Sequence, residues 1–350
     1  MTLDARLAMH SRNSALPRLK RVRHLNAPKA PCPTRGETAP LQVPLALVEQ
    51  ACNALDELRD AIREAFAGLA TGEAEALPKA ALNFSPGHFF QAMVAADRRS
   101  DLAAVKWVAV APQDAATIIH TSMMLSRRST GELLATMDAA PITAARTAAM
   151  SAIAAQHMAR PDSRSIAFIG CGTQARSHLA ALKRVLPQLD HVLAYSRQQS
   201  TASAFADAAQ RAGFRAEVVD NPRSAIAHAD VVVSAVGIDA SSAPFLDANW
   251  LSPGTFVTAV DLARPWFPAG LQSFDLVATD GIQQSEQLGR SGRMPFTGTF
   301  HADLSTFADA SRPLRTSAEQ RALFVFGGHS LADLAAAGLV YRHALRAQAG

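Results

Sequence analysis

Ser165-Ile-Ala-Phe-Ile-Gly170-Cys-Gly172-Thr173-Gln174-Ala175 is the stretch that decides the fold. A short apolar run, suited to a buried strand, leads directly into Gly-x-Gly-x-x-Ala, and a helix-compatible segment follows to Leu186. In such a turn Gly170 permits the tight bend, Gly172 lets the backbone approach a pyrophosphate, and the small Ala175 lets helix and strand pack closely. The free N–H groups of the helix start, with its dipole, favour the phosphate charge. Alone, Gly-x-Gly-x-x-Ala is a weak signal; inside a strand–turn–helix–strand unit it reads as a dinucleotide-binding fingerprint. The candidate cofactor-binding residues are therefore Gly170, Gly172, Thr173, Gln174 and Ala175, with Val236 at the end of a later strand. The next strand ends Tyr195-Ser196-Arg197 and carries no acid where an NAD site usually has one. Ser196 and Arg197 suit a 2′-phosphate instead, so the expected cofactor is NADP, with NAD as the alternative.

Outward from this turn, strand and helix alternate. Strands are expected at Ser165–Ile169, His191–Ser196, Ala216–Val219, Asp230–Val236, Thr255–Val260 and Leu276–Thr279, with helices to Leu186 and to Ala212. Short continuous apolar runs alternating with helices indicate a parallel sheet covered on both faces, an α/β doubly wound Rossmann-type sheet. Thr143 is the expected N-cap of an Ala-rich helix, 144–160, that Pro161 stops. Upstream, Leu45 to Leu69 has helical spacing closed by Gly72, and residues 79–136 read as a mostly antiparallel sheet covered by that helix. Ser330 to Ala349 is a final Ala/Leu-rich helix.

Composition sets outer limits. The chain of 350 residues is 49% hydrophobic and 18% charged, the profile of a globular protein long enough for two domains. No apolar run approaches a membrane span, so a soluble protein is expected. The three cysteines, Cys32, Cys52 and Cys171, show no CxxC pairing, which fits a reducing, cytoplasmic setting and offers no structural metal site. The formal charge of +4 stems largely from the first 30 residues, which hold seven Lys or Arg against Asp4 alone. That proline-punctuated leader, residues 1–40, is expected to be a flexible extension; a transit peptide, a nucleic-acid-binding arm or an early start codon are the other readings. Beyond it no basic stripe appears, so neither a nucleic-acid nor a membrane partner is expected.

Only five lysines occur, and Lys106 stands inside the apolar run Val105-Lys106-Trp107-Val108. An unpaired ammonium there is costly, unless it snorkels to water from an edge strand. Arg146, read as lying in the first turn of its helix, is disfavoured by the dipole unless an anion is bound, or it is a plain surface arginine. Asp261 ends the apolar strand Thr255–Val260, at the carboxyl edge where ligands of such sheets bind; a turn or cap role is the alternative. His178, His301, His329 and the pair Met123-Met124 read as helix or core positions.

The run Pro141-Ile-Thr-Ala-Ala-Arg146-Thr, the fingerprint through Leu182, Val105-Lys106-Trp-Val and Gly328-His-Ser-Leu-Ala-Asp-Leu together resemble the ornithine cyclodeaminase/mu-crystallin family over residues 45 to 348. The resemblance implies a homodimer. It also implies a Rossmann domain, here 144–314, and a smaller α+β substrate-binding and dimerisation domain from both chain ends, here 41–143 and 315–350. The implied activity is on the C–N bond of an α-amino or α-imino acid. Lys79, Lys106 and Arg146 match the family's carboxylate-binding basic residues, and Asp261 its acid–base aspartate; Lys106 and Asp261 are the expected catalytic pair. Lys79 stands where the family more often has arginine. The stretch Leu262-Ala-Arg264-Pro-Trp266-Phe-Pro268 replaces the family's charged continuation and predicts a bulkier, apolar pocket rim. Residues 88–96 lack the acid that ornithine-specific members use, and a δ-ammonium buried without one would be costly. Reduction of a cyclic ketimine, as in pyrroline-2-carboxylate to proline, is therefore the favoured expectation. Ornithine cyclodeamination and non-catalytic binding of NADPH with a small ligand, in the manner of mu-crystallin, are the rivals.

Overall fold

The computed structural model describes residues 39–85, 87–113, 116–237, 243–308 and 314–349. The basic leader, and with it Cys32, lies outside the described residues. The first elements are β1 (Leu41–Gln42), α1 (Leu45–Cys52), α2 (Leu55–Ala70), β2 (Ala74–Ala76), β3 (Ala80–Ser85), β4 (His88–Asp97), β5 (Leu102–Gln113), β6 (Ala116–Arg127) and β7 (Leu133–Asp138). The single helix expected over Leu45–Leu69 is two, broken at Asn53 and Ala54, so that Val48 and Cys52 of one and Leu58, Ile62 and Phe66 of the other all face inward. Gly72, at φ +75°, turns the chain out of α2 as expected.

These strands form one sheet in the order β1-β7-β6-β5-β4-β2, with β3 also paired to β4. Apart from the short parallel pair β1–β7, its pairings are antiparallel. Side chains alternate across it. Met93, Ala95, Lys106, Met123 and Leu125 point to the covered face, whereas Val94, Trp107 and Met124 remain exposed on the other. The cover over β4 and β5 is the C-terminal helix α8 (below), onto which α2 packs; the expectation of an N-terminal helix as the main cover is corrected. Met124 is likewise no core residue, since it stands on the open face.

The chain continues through α3 (Ala140–Met158), β8 (Ser165–Ile169), α4 (Thr173–Val185), β9 (His191–Tyr195), α5 (Gln199–Arg211), β10 (Arg215–Val218), α6 (Pro222–Ile226), β11 (Val231–Ser234), β12 (Phe256–Ala259), β13 (Leu276–Thr279), α7 (Ile282–Arg290), β14 (Ala302–Asp303), β15 (Ala322–Val325) and α8 (Ser330–Ala349). The second sheet is wholly parallel, in the order β10-β9-β8-β11-β12-β15-β13-β14. Its central strands β11, β12, β13 and β15 are fully buried, which explains their continuous apolar reading.

Three expectations shift. Helix α3 starts at Ala140 with Ala139 at the N-cap, and Pro141 sits in the first turn, where its missing N–H costs nothing. Thr143 is thus inside the helix, donating to Ala139 O at 2.7 Å, and Arg146 lies in the second turn, beyond the strongest dipole field. The boundary between residues 314 and 315 is also displaced. Strand β15, assigned to the other domain by sequence, inserts between β12 and β13 and belongs to the parallel sheet.

Candidate active site

The glycine turn has the geometry a dinucleotide needs. Gly170 sits at φ +94°, and a β-carbon on it would stand 2.5 Å from Ala235 O, so only glycine fits between β8 and the end of β11. A β-carbon on Gly172 would meet nothing within 4 Å, which leaves open space before the turn. Gly172 is the N-cap of α4 and supplies no side-chain cap, so the first-turn amides of Thr173, Gln174 and Ala175 face that space unpaired by a side chain. Ala175 is fully buried against the sheet. Gln174 carries a buried Oε1 with no partner among the described residues, while its backbone oxygen receives His178 Nδ1 at 2.8 Å. Ser196 and Arg197 follow β9 at the same edge, Ser196 part-buried and Arg197 exposed. Val236 follows β11, and its amide donates to Asp261 Oδ2 at 3.1 Å.

The basic residues gather elsewhere along that edge. Lys106, 1% exposed, points from β5 under α8 and donates to Asp333 Oδ1 at 2.7 Å. Arg146 Nε reaches the same oxygen at 2.9 Å. Lys106 also donates to Thr143 Oγ1 at 3.3 Å. Asp333 lies in the first turn of α8, where the dipole favours an anion. Burial alone would raise its pKa, but Arg146 and Lys106 outweigh that and hold the carboxyl below its usual range. Burial pushes the Lys106 ammonium down to about 8, with Asp333 opposing.

Lys79 reaches the same cluster from the gap between β2 and β3. Pro78 has no N–H to donate, pairing with β4 lapses there, and the Lys79 ammonium bonds Gly327 O beyond the end of β15. Burial pulls it down to about 8, against the attraction of Asp280. The guanidinium of Arg146 lies on Gly328, at φ +85°, where a β-carbon would come within 2.9 Å of Nη1. Arg146 Nη1 and Asp333 Oδ2 are buried without partners among the described residues.

Asp261 stands apart from this cluster in its contacts. Its Oδ2 accepts from Ser234 Oγ at 2.6 Å and from the Val236 amide, and its Oδ1 from the Ala263 amide at 3.2 Å. These bonds tie the ends of β11 and β12 and support Leu262 and Ala263 in left-handed conformations, φ +63° and +57°. Burial raises the Asp261 carboxyl to about 6, and the Ser234 and Val236 bonds oppose the rise. The link to the cations is Leu262, whose Cδ2 would lie 3.6 Å from a β-carbon on Gly327. So Lys79, Lys106 and Arg146 come together, and Asp261 borders them across Gly327 with both oxygens already engaged.

The expected rim is corrected in part. Trp266 is fully buried, with Nε1 bonded to Ser234 Oγ at 3.1 Å, and serves as core beneath Asp261; Phe267 is exposed. His178 is core, sharing Ser151 Oγ, which also meets Thr258 Oγ1, and burial drops its pKa to about 4. His301 is exposed, its Nδ1 accepting from the Val277 amide. Sequence reasoning missed Asp333 and Asp280. Each had a signal: Asp333 is an acid within an Ala/Leu-rich helix, and Asp280, like Asp261, follows directly on an apolar strand. Among the described residues, no group of three or more His, Cys, Asp or Glu could hold a metal, and no helix is long and apolar enough to cross a membrane.

The sequence profile of the ornithine cyclodeaminase/mu-crystallin family matches residues 44–348. Alanine dehydrogenase of Archaeoglobus fulgidus is 31% identical over 311 residues, 85% of this chain and 92% of that protein. Ketimine reductase mu-crystallin of Rattus norvegicus is 30% identical over 224 residues, 63% of this chain and 69% of that protein. An archaeal alanine dehydrogenase dimer with bound NAD superimposes with a TM-score of 0.75 at 29% identity, over 86% of this chain and 96% of that one.

Proposed function

The chain belongs to the ornithine cyclodeaminase/mu-crystallin family, and from that premise we propose an oxidoreductase dependent on a nicotinamide dinucleotide that acts on the C–N bond of an α-amino or α-imino acid. Within that class the reading is a ketimine reductase of the pyrroline-2-carboxylate type. The observation that carries it is the convergence of Lys79, Lys106 and Arg146 around Asp333 beside Gly327 and Gly328. The three cations bring three formal positive charges and Asp333 and Asp280 two negative ones, which leaves one positive charge when Asp261 carries the proton it would deliver to the substrate nitrogen. A single carboxylate offsets it and supplies the acceptor that buried Arg146 Nη1 lacks. A neutral cyclic imine bearing one carboxylate fits that balance. A diamino acid such as ornithine would add positive charge to a site already in excess, which disfavours cyclodeamination.

The open space before Gly172 and the uncapped start of α4 fit a pyrophosphate. The bound coenzyme would supply or accept the hydride at the substrate Cα. Arg146, Lys79 and Lys106 would hold the carboxylate and so fix Cα in place. Asp261, with a carboxyl poised near pH 6, would exchange the accompanying proton with the substrate nitrogen. Ser234 and the Val236 amide would orient that carboxyl. Ser196 and Arg197 would take the 2′-phosphate of NADPH, so Arg197→Ala should erase a preference for NADPH over NADH.

By the same reading, the sheet of β1–β7 with α8 is the substrate-binding and dimerisation unit. Its open face exposes Trp107, Met124, Val94, Leu82 and Phe84, an apolar surface suited to a second copy of the chain. Sedimentation should then give a dimer. The decisive assay follows NADPH absorbance against cyclic ketimines and against keto acids with amines. Oxidation with a cyclic ketimine is expected. A flat response from folded, NADPH-binding protein would leave the non-catalytic binding reading in its place, and ammonia released from ornithine would favour the cyclodeaminase.

A further inference from the structure

Beside the carboxylate-binding cations lies a polar pair that the proposed chemistry does not use. Asp280 follows β13, is fully buried, and its Oδ2 has no partner among the described residues. Among the described residues its Oδ1 receives only long contacts of 3.4 Å, from Thr279 Oγ1 and Gln284 Nε2. A buried carboxylate oxygen without a donor is costly, so its persistence calls for a ligand. His329, at the start of α8, accepts the Leu331 amide on Nδ1 at 3.3 Å, which assigns the ring proton to Nε2. Burial lowers the imidazole pKa and keeps the ring neutral. Its Nε2 edge faces Gly281, the residue after Asp280, where a β-carbon would stand 3.6 Å from Nε2. A carboxylate acceptor and an imidazole donor thus lie side by side next to Lys79: Asp280 acts electrostatically on Lys79, and both Asp280 and Lys79 act on His329.

The sheet order fixes which part of a ligand meets them. β12, β15 and β13 are neighbours, each about 4.8 Å from the next. Asp261 follows β12, Gly327 and Gly328 follow β15, and Asp280 follows β13. With a ligand carboxylate over the end of β15, the reacting carbon lies towards β12 and the glycine turn of β8. Asp280 and His329 then face the opposite side, where the substrate's side chain must lie.

Resting on the amino- or imino-acid reading above, we infer that Asp280 and His329 form a side-chain subsite that selects substrates bearing a neutral group able both to donate and to accept, a hydroxyl or a carboxamide. Such a group gives its proton to Asp280 Oδ2 and receives one from His329 Nε2. A second ammonium there would crowd Lys79, Lys106 and Arg146, and a second carboxylate would face Asp280. An alkyl side chain would leave the carboxylate oxygen unpaired, and a site built to hydrogen-bond discriminates strongly against such an analogue, so among cyclic ketimines a ring that carries a hydroxyl is preferred over the plain pyrroline ring.

The test uses isosteric pairs, L-threonine against L-valine and L-asparagine against L-leucine. Their oxidation is followed by kcat/KM, and their binding to the protein with NADPH by calorimetry. The polar member of each pair is expected to win by at least about tenfold. His329→Leu and Asp280→Asn should each bring that ratio towards one. A ratio near one in the unaltered protein, or a preference that both variants keep, overturns the subsite. Should Asp280→Asn fail to fold, His329→Leu carries the comparison alone. Absence of turnover with every amino acid and ketimine would instead sink the enzymatic reading, and the calorimetric ratio would still decide the subsite.

Discussion

The nucleotide turn and the cation cluster share the carboxyl edge of one parallel sheet, yet they are held in different ways. The turn draws its parts from consecutive residues: Gly170 against Ala235, open space at Gly172, and free amides at the start of α4. The cluster draws one cation from the gap between β2 and β3, one from β5 and one from α3, and balances two of them on Asp333 of α8. A local device can be broken or kept on its own. A cluster that shares one carboxylate oxygen among two cations should fail as a unit, and single substitutions test that difference.

The largest effect is expected from Asp333→Asn. It leaves Lys106 and Arg146 buried without their acid, a change that typically costs about 3–5 kcal/mol. Denaturant titration would read it, and a loss under about 1 kcal/mol would show that Asp333 is not the balancing charge. Gly328→Ala comes next. Its methyl would enter the Arg146 guanidinium at a backbone of φ +85°, so carboxylate affinity should fall on the order of 100-fold while coenzyme affinity holds. Gly170→Ala is the mirror image, with coenzyme affinity lost and amino-acid binding retained. If either substitution damaged both ligands equally, the two halves would not be separable.

Asp261→Asn should cost about 1–3 kcal/mol at neutral pH, because an amide cannot accept on both sides from Ser234, Val236 and Ala263. The same variant should abolish turnover with little change in binding of the substrate carboxylate. Turnover that survived Asp261→Asn would confine this aspartate to tying β11 to β12.

The smallest effect is graded by pH. Lys79 and Lys106 titrate near 8 in the folded chain, lowered from 10.5, so each is charged below about pH 8 and neutral above it. Affinity for a carboxylate ligand should weaken as pH rises from 7 to 9. Stability should move the other way. Between about 8 and 10.5 the unfolded chain holds protons that the folded one has released, so this contribution to stability rises with pH. Calorimetric binding of L-proline and thermal unfolding over the same pH range would check the opposed signs.

Much of the fold is legible from residue pattern. The fingerprint, the alternation after it and the final helix all fall where periodicity places them, because their signals are local: φ freedom at glycine, continuous apolar runs, helical spacing. Other features escape for equally physical reasons. Periodicity can propose the strand β15 but cannot insert it between β12 and β13, since strand order is set by long-range pairing. The break at Asn53 serves packing that only the assembled core defines.

For the site, the sequence by itself determined the nucleotide turn and marked Lys106 as a charge that burial would make expensive. Tertiary structure alone decided what repays that charge. Asp333 lies far along the chain, where an acid in an Ala/Leu-rich helix stands out without showing which cations it meets, and Arg146, Lys79 and Asp280 join it only once α8 lies across β5 and β15 enters the sheet. The reason is the range of the forces. Backbone conformation is fixed by near neighbours, whereas the energy of a buried charge depends on whatever the fold brings within a few ångströms of it.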